Sequence, residues 1–461
     1  MSRKNRFIRT VCWTALPLML LMFTGCFWQI LSWSPDGRWV AFVVDKDKSD
    51  GKEKMTYRCD THTGETKELP LENRDGWFGK TETLLGDPVS CRYLPKSNAL
   101  LTVVQYKPKD GGDERWLLYQ SKPGSNKCVL LASEAPTVLD VSKDGQRIYY
   151  ATSSKEKSGD TEQEISRLWE KPLNGSPRLL LQTGDEKANE SFPWFGQLSP
   201  SGRQFVYAMA PKESSGVAVI LNLDKLTTRS IVAAESEKDA ILWPMWLDED
   251  NILFLSGASE ECGKLHRVSL RTGEQREVCD KEIYYMHPLS LSPDKKMVAV
   301  ALRENKENKK TQLALVNVES GKVEPLSQLP YAIYHPAFSP DGKRMAFLST
   351  AQEKGRLEIL DLATKRSLRS WTNVTEKEFV SAESLVDAGK KSEALKNFSA
   401  FLQKHADSPY ADLARYYIVR LSSEIPGSDS TLANEALAAI QDNNLKDEAT
   451  KLAPAPMHLQ K

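Results

Sequence analysis

The sequence predicts a mainly β chain: a β-propeller of seven blades, with six or eight left open, followed by a small all-α domain. Three observations carry this. A Ser-Pro-Asp-Gly phrase recurs between short apolar runs from residue 31 to about residue 371. Its turns, near residues 36, 97, 144, 201, 249, 294 and 341, stand 45 to 61 residues apart. From Glu376 onward, alternation gives way to helical spacing. A repeat of this length made of short strands is the pattern of a propeller blade.

The chain begins with a segment set apart from the fold. Arg3, Lys4, Arg6 and Arg9 form a basic start, Val11 to Phe23 is apolar, and Phe23-Thr24-Gly25-Cys26 follows. Thirteen apolar residues are too few for a bilayer-spanning helix, which needs about 20. A basic start, a short apolar run and small residues before a cut describe an export signal. The final four residues resemble a bacterial lipobox, with Phe23 where Leu is preferred. The resemblance implies cleavage after residue 25, lipid on Cys26, and membrane attachment through that lipid. Phe27 after the Cys is similar to signals sorted to an outer membrane facing the periplasm. Residues 26–30 then form a short tether whose last four residues reach at most about 14 Å.

Removing residues 1–25 takes four of 62 basic residues and none of 62 acidic ones, leaving a formal charge of −4. With no basic excess, nucleic acid is not an expected partner. Five cysteines remain besides Cys26, and outside the cytosol they are free to pair. Cys262 and Cys279 flank one predicted hairpin and are the expected disulfide.

The repeat spans 31–373. Complete copies read Leu31-Ser-Trp-Ser-Pro-Asp-Gly-Arg-Trp-Val-Ala-Phe42 and Ala337-Phe-Ser-Pro-Asp-Gly-Lys-Arg-Met-Ala-Phe347, with others at 139–150, 198–207 and 289–300. Two degenerate copies fill the gaps, at 91–101 and 245–254. In each, an apolar strand meets a turn: Pro fixes φ, Asp closes an Asx-turn, and Gly takes positive φ. A second apolar strand follows, then a polar connector and a hairpin such as that around Glu319-Ser-Gly321.

The turn residues are Asp36 and Gly37, Asp144 and Gly145, Ser201 and Gly202, Asp294, and Asp341 and Gly342. A ring of carboxylates could hold a cation. However, Ser201 replaces Asp in one copy, and Asp-Glu-Asp at 248–250 shifts register in another. That pattern favours a structural role for each carboxylate within its own turn. The Trp residues fall on predicted strands and are expected to pack between blades. His287-Pro288 and His335-Pro336 enter the first strands of the last two blades, and that position is one that can face a central channel.

The repeat is similar to that of the TolB-type propellers, which also forms the N-terminal domain of prolyl-oligopeptidase-like peptidases. The resemblance covers about three quarters of the chain and is specific for fold alone. Those peptidases continue into a hydrolase domain with Gly-x-Ser-x-Gly. Here fewer than 100 residues follow, and the sequence holds no Gly-x-Ser-x-Gly, His-Glu-x-x-His, Walker loop or Gly-x-Gly-x-x-Gly.

Residues 376–445 read as helices: Lys377 to Ala388, Ser392 to His405, Tyr410 to Ser423, and a weaker Leu432 to Gln441. Ala382, Gly389, Ala394 and Phe398 resemble the small and aromatic positions of a tetratricopeptide pair. Phe379, Leu385, Phe398, Phe401, Tyr410 and Tyr416 are the expected partner surface. Residues 446–461, with Pro454 and Pro456, are expected to be a disordered tail.

The function expected from these readings is non-catalytic. It is a cell-envelope lipoprotein acting as a scaffold for envelope proteins, with no cofactor and no metal. The alternatives are a binder of glycan or peptidoglycan fragments at the channel, and a channel-sited hydrolase or lyase.

Overall fold

A computed structural model describes residues 29–452 except 49–50, 63–65, 70–71, 74–81, 84–85, 108–113, 123–126, 136, 159–160, 184–194, 210–215, 234–239, 260–261, 285–287, 304–310, 327–331, 352–353, 373–376, 409, 429 and 442. The signal segment and Cys26 lie outside the described residues.

The phrase Ser-Pro-Asp-Gly builds one local structure wherever it occurs. In the last copy, the Ser339 hydroxyl donates to Asp341 Oδ1 (2.5 Å) and accepts the Arg344 amide (2.9 Å). The same carboxylate oxygen accepts the Lys343 amide (3.1 Å). Ser34 with Asp36, Ser142 with Asp144 and Ser292 with Asp294 repeat the arrangement. In the copy lacking Asp, Ser199 and Ser201 share a hydroxyl pair at 3.0 Å. Among these turns, glycine is demanded most strictly at Gly145. Its φ is +71°, and a Cβ there would meet the Pro95 carbonyl oxygen at 2.3 Å. Where Gly is replaced, by Lys295, the residue still adopts φ 65°.

After each turn comes a strand buried on both faces. Val40, Ala41, Phe42 and Val43 are all essentially inaccessible, as are Met345, Ala346, Phe347 and Leu348. This is why these strands read as unbroken apolar runs and not as alternation.

The chain divides into two compact units. The first holds the described residues of 72–276 with 29–30 and 288. Its sheets are built on antiparallel runs in chain order, the first extended by Glu72–Asn73, which pairs in parallel with Lys127–Ser133, and by Glu82–Thr83 beyond it. One comprises Asp87–Tyr93, Leu100–Tyr106, Arg115–Ser121 and Lys127–Ser133. The next are Thr137–Val141 through Arg178–Thr183 and Gly196–Leu198 through Thr227–Ala233. Then follow Ala240–Trp246, Asn251–Ser259 and Cys262–Ser269, with Gln275–Glu277 on the last. The second unit holds Leu31–Trp33 through Thr66–Glu68, Ser290–Leu291 through Val323–Pro325, and Ala332–Phe338 through Arg366–Thr372, together with all the helices.

A tie between successive repeats recurs within each unit. Counting back from the turn Ser or its equivalent, the side chain two residues earlier accepts the amide one residue earlier in the following repeat. Asp140 Oδ2 accepts from Leu198 (2.8 Å), Gln197 Oε1 from Trp246 (2.8 Å) and Ser290 Oγ from Phe338 (3.1 Å). Trp indoles reinforce it. Trp246 Nε1 donates to the Gln197 carbonyl (3.1 Å), and Trp33 Nε1 donates to Ala337 (3.0 Å), joining the chain's first and last repeats. Arg344 adds to that junction, lying over Trp33 and donating to the Gly37 carbonyl (2.8 Å).

Among the described residues, five helices follow the last sheet: α1 (Lys377–Asp387), α2 (Lys391–Lys404), α3 (Ala411–Glu424), α4 (Ser430–Ala439) and α5 (Asn443–Leu452). Gly389, at φ +73°, ends α1, and its amide and that of Lys390 return to the Val386 and Leu385 carbonyls. This is a Schellman-type stop. Between them, Phe379, Phe398, Phe401, Tyr410 and Tyr417 form an aromatic core, with Phe398 and Tyr417 stacked at 4.7 Å.

Two expectations fail here for one reason. Phe379, Phe398, Phe401, Tyr410 and Tyr416 are buried and Leu385 packs against them, so these side chains are the core and not a partner surface. The expected tail, 446–461, begins inside α5, whose Ala449 is buried in the same core as Leu445, four residues before it on one helical face. Pro454 and Pro456 lie beyond its end. Residues 453–461 are outside the described residues.

Candidate functional site

Two first strands of repeats are broken at the same place. In Ala332–Phe338 the pairing with the next strand shifts between Tyr334 and Ala337, and His335-Pro336 fills the gap. In Ala240–Trp246 it shifts between Leu242 and Met245, around Trp243-Pro244. Proline cannot donate to the ladder, so the strand bulges. The residue before each proline takes a left-handed conformation: φ 54° at His335 and 52° at Trp243. Such φ values are rare for bulky side chains and mark positions where the surroundings impose strain. Trp243 spends its position on packing, with its ring 4.0 Å from that of Phe195. His335 puts a titratable group there.

His335 is only 4% exposed. Its ring meets Tyr334 edge-on at 5.7 Å. Burial pushes the Tyr334 phenol well above its ordinary range, and the negative charge of Asp45 adds to this. Asp45 lies on the exposed end of strand Trp39–Lys48. Thr311 fixes the strand from the other side: its hydroxyl accepts the Ile333 amide (2.8 Å) and donates to the Ile333 carbonyl (2.9 Å). Thr311 pairs directly with Arg303 in the neighbouring sheet. The second unit therefore brings together an imidazole, a phenol that keeps its proton, a carboxylate and, one strand away, a guanidinium. This set can exchange protons and can meet an anionic ligand. Among the described residues, no group of three His, Cys, Asp or Glu is placed to hold a metal ion.

The other nominated residues stand apart from this cluster. Asp36, Asp144, Asp294 and Asp341 each bond within their own turn, and hydrogen bonds from Ser142, Ser292 and Ser339 hold the last three carboxyls below the ordinary range. His287 lies outside the described residues. The expected bond between Cys262 and Cys279 is not formed, and both residues are buried thiols. Cys262 opens its strand opposite Ser259, whereas the return strand pairs over only three residues, Gln275–Glu277. The sequence drew attention to His335-Pro336 but held no sign of Tyr334, Asp45 or Arg303, which topology alone assembles.

No family model matches the chain, and no curated protein matches it. Solved structures do. A puromycin-hydrolyzing peptidase of Mycobacterium tuberculosis is 14% identical over 77% of this chain, with a TM-score of 0.54. An oligogalacturonate lyase solved in complex with manganese is 15% identical over 72% of this chain and 88% of its own, with a TM-score of 0.51. The fold is a β-propeller. TolB from Acinetobacter baumannii also matches, 15% identical over 72% of this chain, at a TM-score of 0.41, and nothing is built on that likeness. The chain spans about half the length of the peptidase it matches, 55%.

These matches correct one expectation. The solved structures that share this fold include a peptidase and a lyase, so a non-catalytic scaffold is no longer supported. The absence of familiar hydrolase motifs does not separate the two classes in this architecture.

Proposed function

We propose that the protein is a propeller enzyme of the lyase or hydrolase class acting on an anionic oligosaccharide in the cell envelope, at the cluster of Asp45, Tyr334 and His335. The propeller has seven blades in this reading, one for each four-stranded run along the chain. The helices form two tetratricopeptide-like pairs with one added helix. Lipid on Cys26 holds the protein to the membrane, on the periplasmic face of the outer membrane.

One observation carries the proposal: His335 is held in a strained backbone conformation directly beside a phenol of raised pKa. Strain of this kind costs about 1–3 kcal/mol and concentrates where a side chain must be aimed. The raised pKa keeps the Tyr334 proton in place at neutral pH, which suits a proton donor, and the imidazole of His335 suits a proton acceptor. Arg303 supplies positive charge for a carboxylate on the substrate. The lyase supports this choice of substrate class, because this chain spans most of its length, whereas it spans only half of the peptidase.

The test is turnover by the purified mature protein on a panel of acidic oligosaccharides, oligogalacturonate included. Product is read both as ultraviolet absorbance of a new double bond and as released reducing ends. The expected result is turnover on at least one substrate, reduced by about 10²–10⁴-fold in His335→Ala and in Tyr334→Phe. No turnover and no binding across the panel, or full activity in both variants, would overturn the proposal.

A further inference from the structure

One face of a sheet in the second unit carries two polar atoms that the fold does not satisfy. Strands Trp39–Lys48 and Gly51–Asp60 pair in an unbroken register, with Trp39 opposite Asp60, Ala41 opposite Arg58 and Val43 opposite Thr56. Side chains alternate between the faces of a strand, so these six residues share one face. Thr56 is buried, and its Oγ1 has no hydrogen-bond partner. Arg58 is half-buried, and its Nε is closed off from solvent without an acceptor. The two residues stand about 7 Å apart along the strand. Buried polar atoms are nearly always paired, and two orphans on one face mark a place that a polar ligand can complete.

The acid beside Arg58 is already engaged. Asp60 accepts Arg38 Nε (3.1 Å), Arg38 Nη2 (3.0 Å) and the His62 amide (2.9 Å). Among the described residues, no carboxylate pairs with Arg58. Its guanidinium lies over the Trp39 ring instead, 4.2 Å from the centroid, and that of Arg38 is 4.9 Å from the same centroid. On its other side Arg58 pairs in the ladder with Lys67, an exposed residue of the same charge. Like charges directly opposite on a sheet repel. Stacking on indole holds a guanidinium in place but leaves its N–H groups unused. Arg58 is thus a fixed cation with donors to spare, and the half-buried Trp39 and Arg58 keep the site open to solvent.

We propose that Arg58 and Thr56 bind the carboxylate of an acidic ligand. Arg58 Nε–H and one Nη–H donate to the two carboxylate oxygens, and the Thr56 hydroxyl meets a second polar group of the same ligand. The planar fork of a guanidinium matches a planar carboxylate bidentately, and one cation balances its single charge. The carboxylate can belong to the acidic oligosaccharide proposed above or to a small free acid. The site includes neither Tyr334 nor His335, and its assignment does not rest on their role.

The test is calorimetric titration of the purified mature protein with galacturonate, trigalacturonate, succinate, neutral galactose and inorganic phosphate. Galacturonate is expected to bind saturably and galactose not at all. Tighter binding of trigalacturonate than of galacturonate assigns the site to the oligosaccharide, and equal binding of succinate assigns it to a free acid. Arg58→Gln is expected to weaken binding by at least about tenfold. Arg58→Lys keeps the charge and the stem beside Trp39 but loses the fork, and is expected to bind as poorly. An unchanged melting midpoint of the free Arg58→Lys protein shows that the fold is intact. Thr56→Val is expected to weaken galacturonate binding by about threefold or more. Binding unchanged in both Arg58 variants, binding of phosphate alone, or no binding of any carboxylate overturns the proposal. Binding is read without turnover, so inactivity on every oligosaccharide would end the catalytic reading and leave this one standing.

Discussion

At the scale of single residues, the turn serine is the most informative position. Ser339 is fully buried and holds two partners at once, the Asp341 carboxylate and the Arg344 amide. Ser339→Ala leaves that amide without its side-chain acceptor and is expected to destabilise the fold by about 1–3 kcal/mol, as measured by denaturant unfolding. The loss depends on pH. The Ser339 hydrogen bond is the largest cause of the depressed Asp341 pKa. A depressed pKa stabilises the folded state above the ordinary aspartate range, and that part is lost as pH falls through the folded value. The gap between wild type and variant therefore narrows as the solution is acidified into that window. These turns were legible in sequence because their chemistry is local. The ties formed by Asp140, Gln197 and Ser290 were not, because three different residue types serve one purpose. Any acceptor at that position meets the need, so no shared letter marks it. The same holds for Tyr334 and Asp45, which are separated by nearly 300 residues and meet only through the fold.

At the scale of elements, the join between the last sheet and the helices stands out. Arg356, on strand Lys354–Asp361, is buried and reaches Glu358 on its own strand, Glu383 on α1 and, at 3.1 Å, the Tyr417 hydroxyl on α3. Tyr417 in turn donates to Glu383 (3.1 Å). Removing one member of a buried ionic group leaves its partners charged and dry, typically a loss of about 3–5 kcal/mol. Arg356→Met is expected to lose that much in denaturant unfolding. The triple change Arg356→Met, Glu358→Leu, Glu383→Leu is expected to recover much of it, because no charge is then left without a partner. The positions of α1 to α4 were readable to within one or two residues, since apolar spacing is a local signal, whereas most of α5 was read as tail. What spacing cannot say is which apolar stripe will be covered. α3 is buried on almost every side, including Asp412 and Ser422, which is the opposite of a two-faced surface helix. The aromatic residues expected to meet a partner meet one another instead.

At the scale of the whole molecule, the helices and the sheets to which they attach belong to one compact unit, so the boundary drawn near residue 373 from the change to helical spacing is not a boundary of packing. Ending the chain after Thr372 strips Arg356 of Glu383 and Tyr417. The expected result is a thermal midpoint lowered by several degrees and a loss of solubility, measured by melting and by sedimentation of the truncated protein. Unchanged melting would mean that the helices are a passenger. A related consequence concerns the order of events during synthesis. Trp33 donates to Ala337, and the two are separated by 304 positions. Residues 31–70 share their unit with nothing from the 200 residues that follow them. As the polypeptide emerges, its first repeat has no native neighbour in that unit until residue 277 and beyond have been made. Contacts so distant in sequence form slowly. A chain of this design stays unfinished at its own beginning until the repeat around Ala337 has been made.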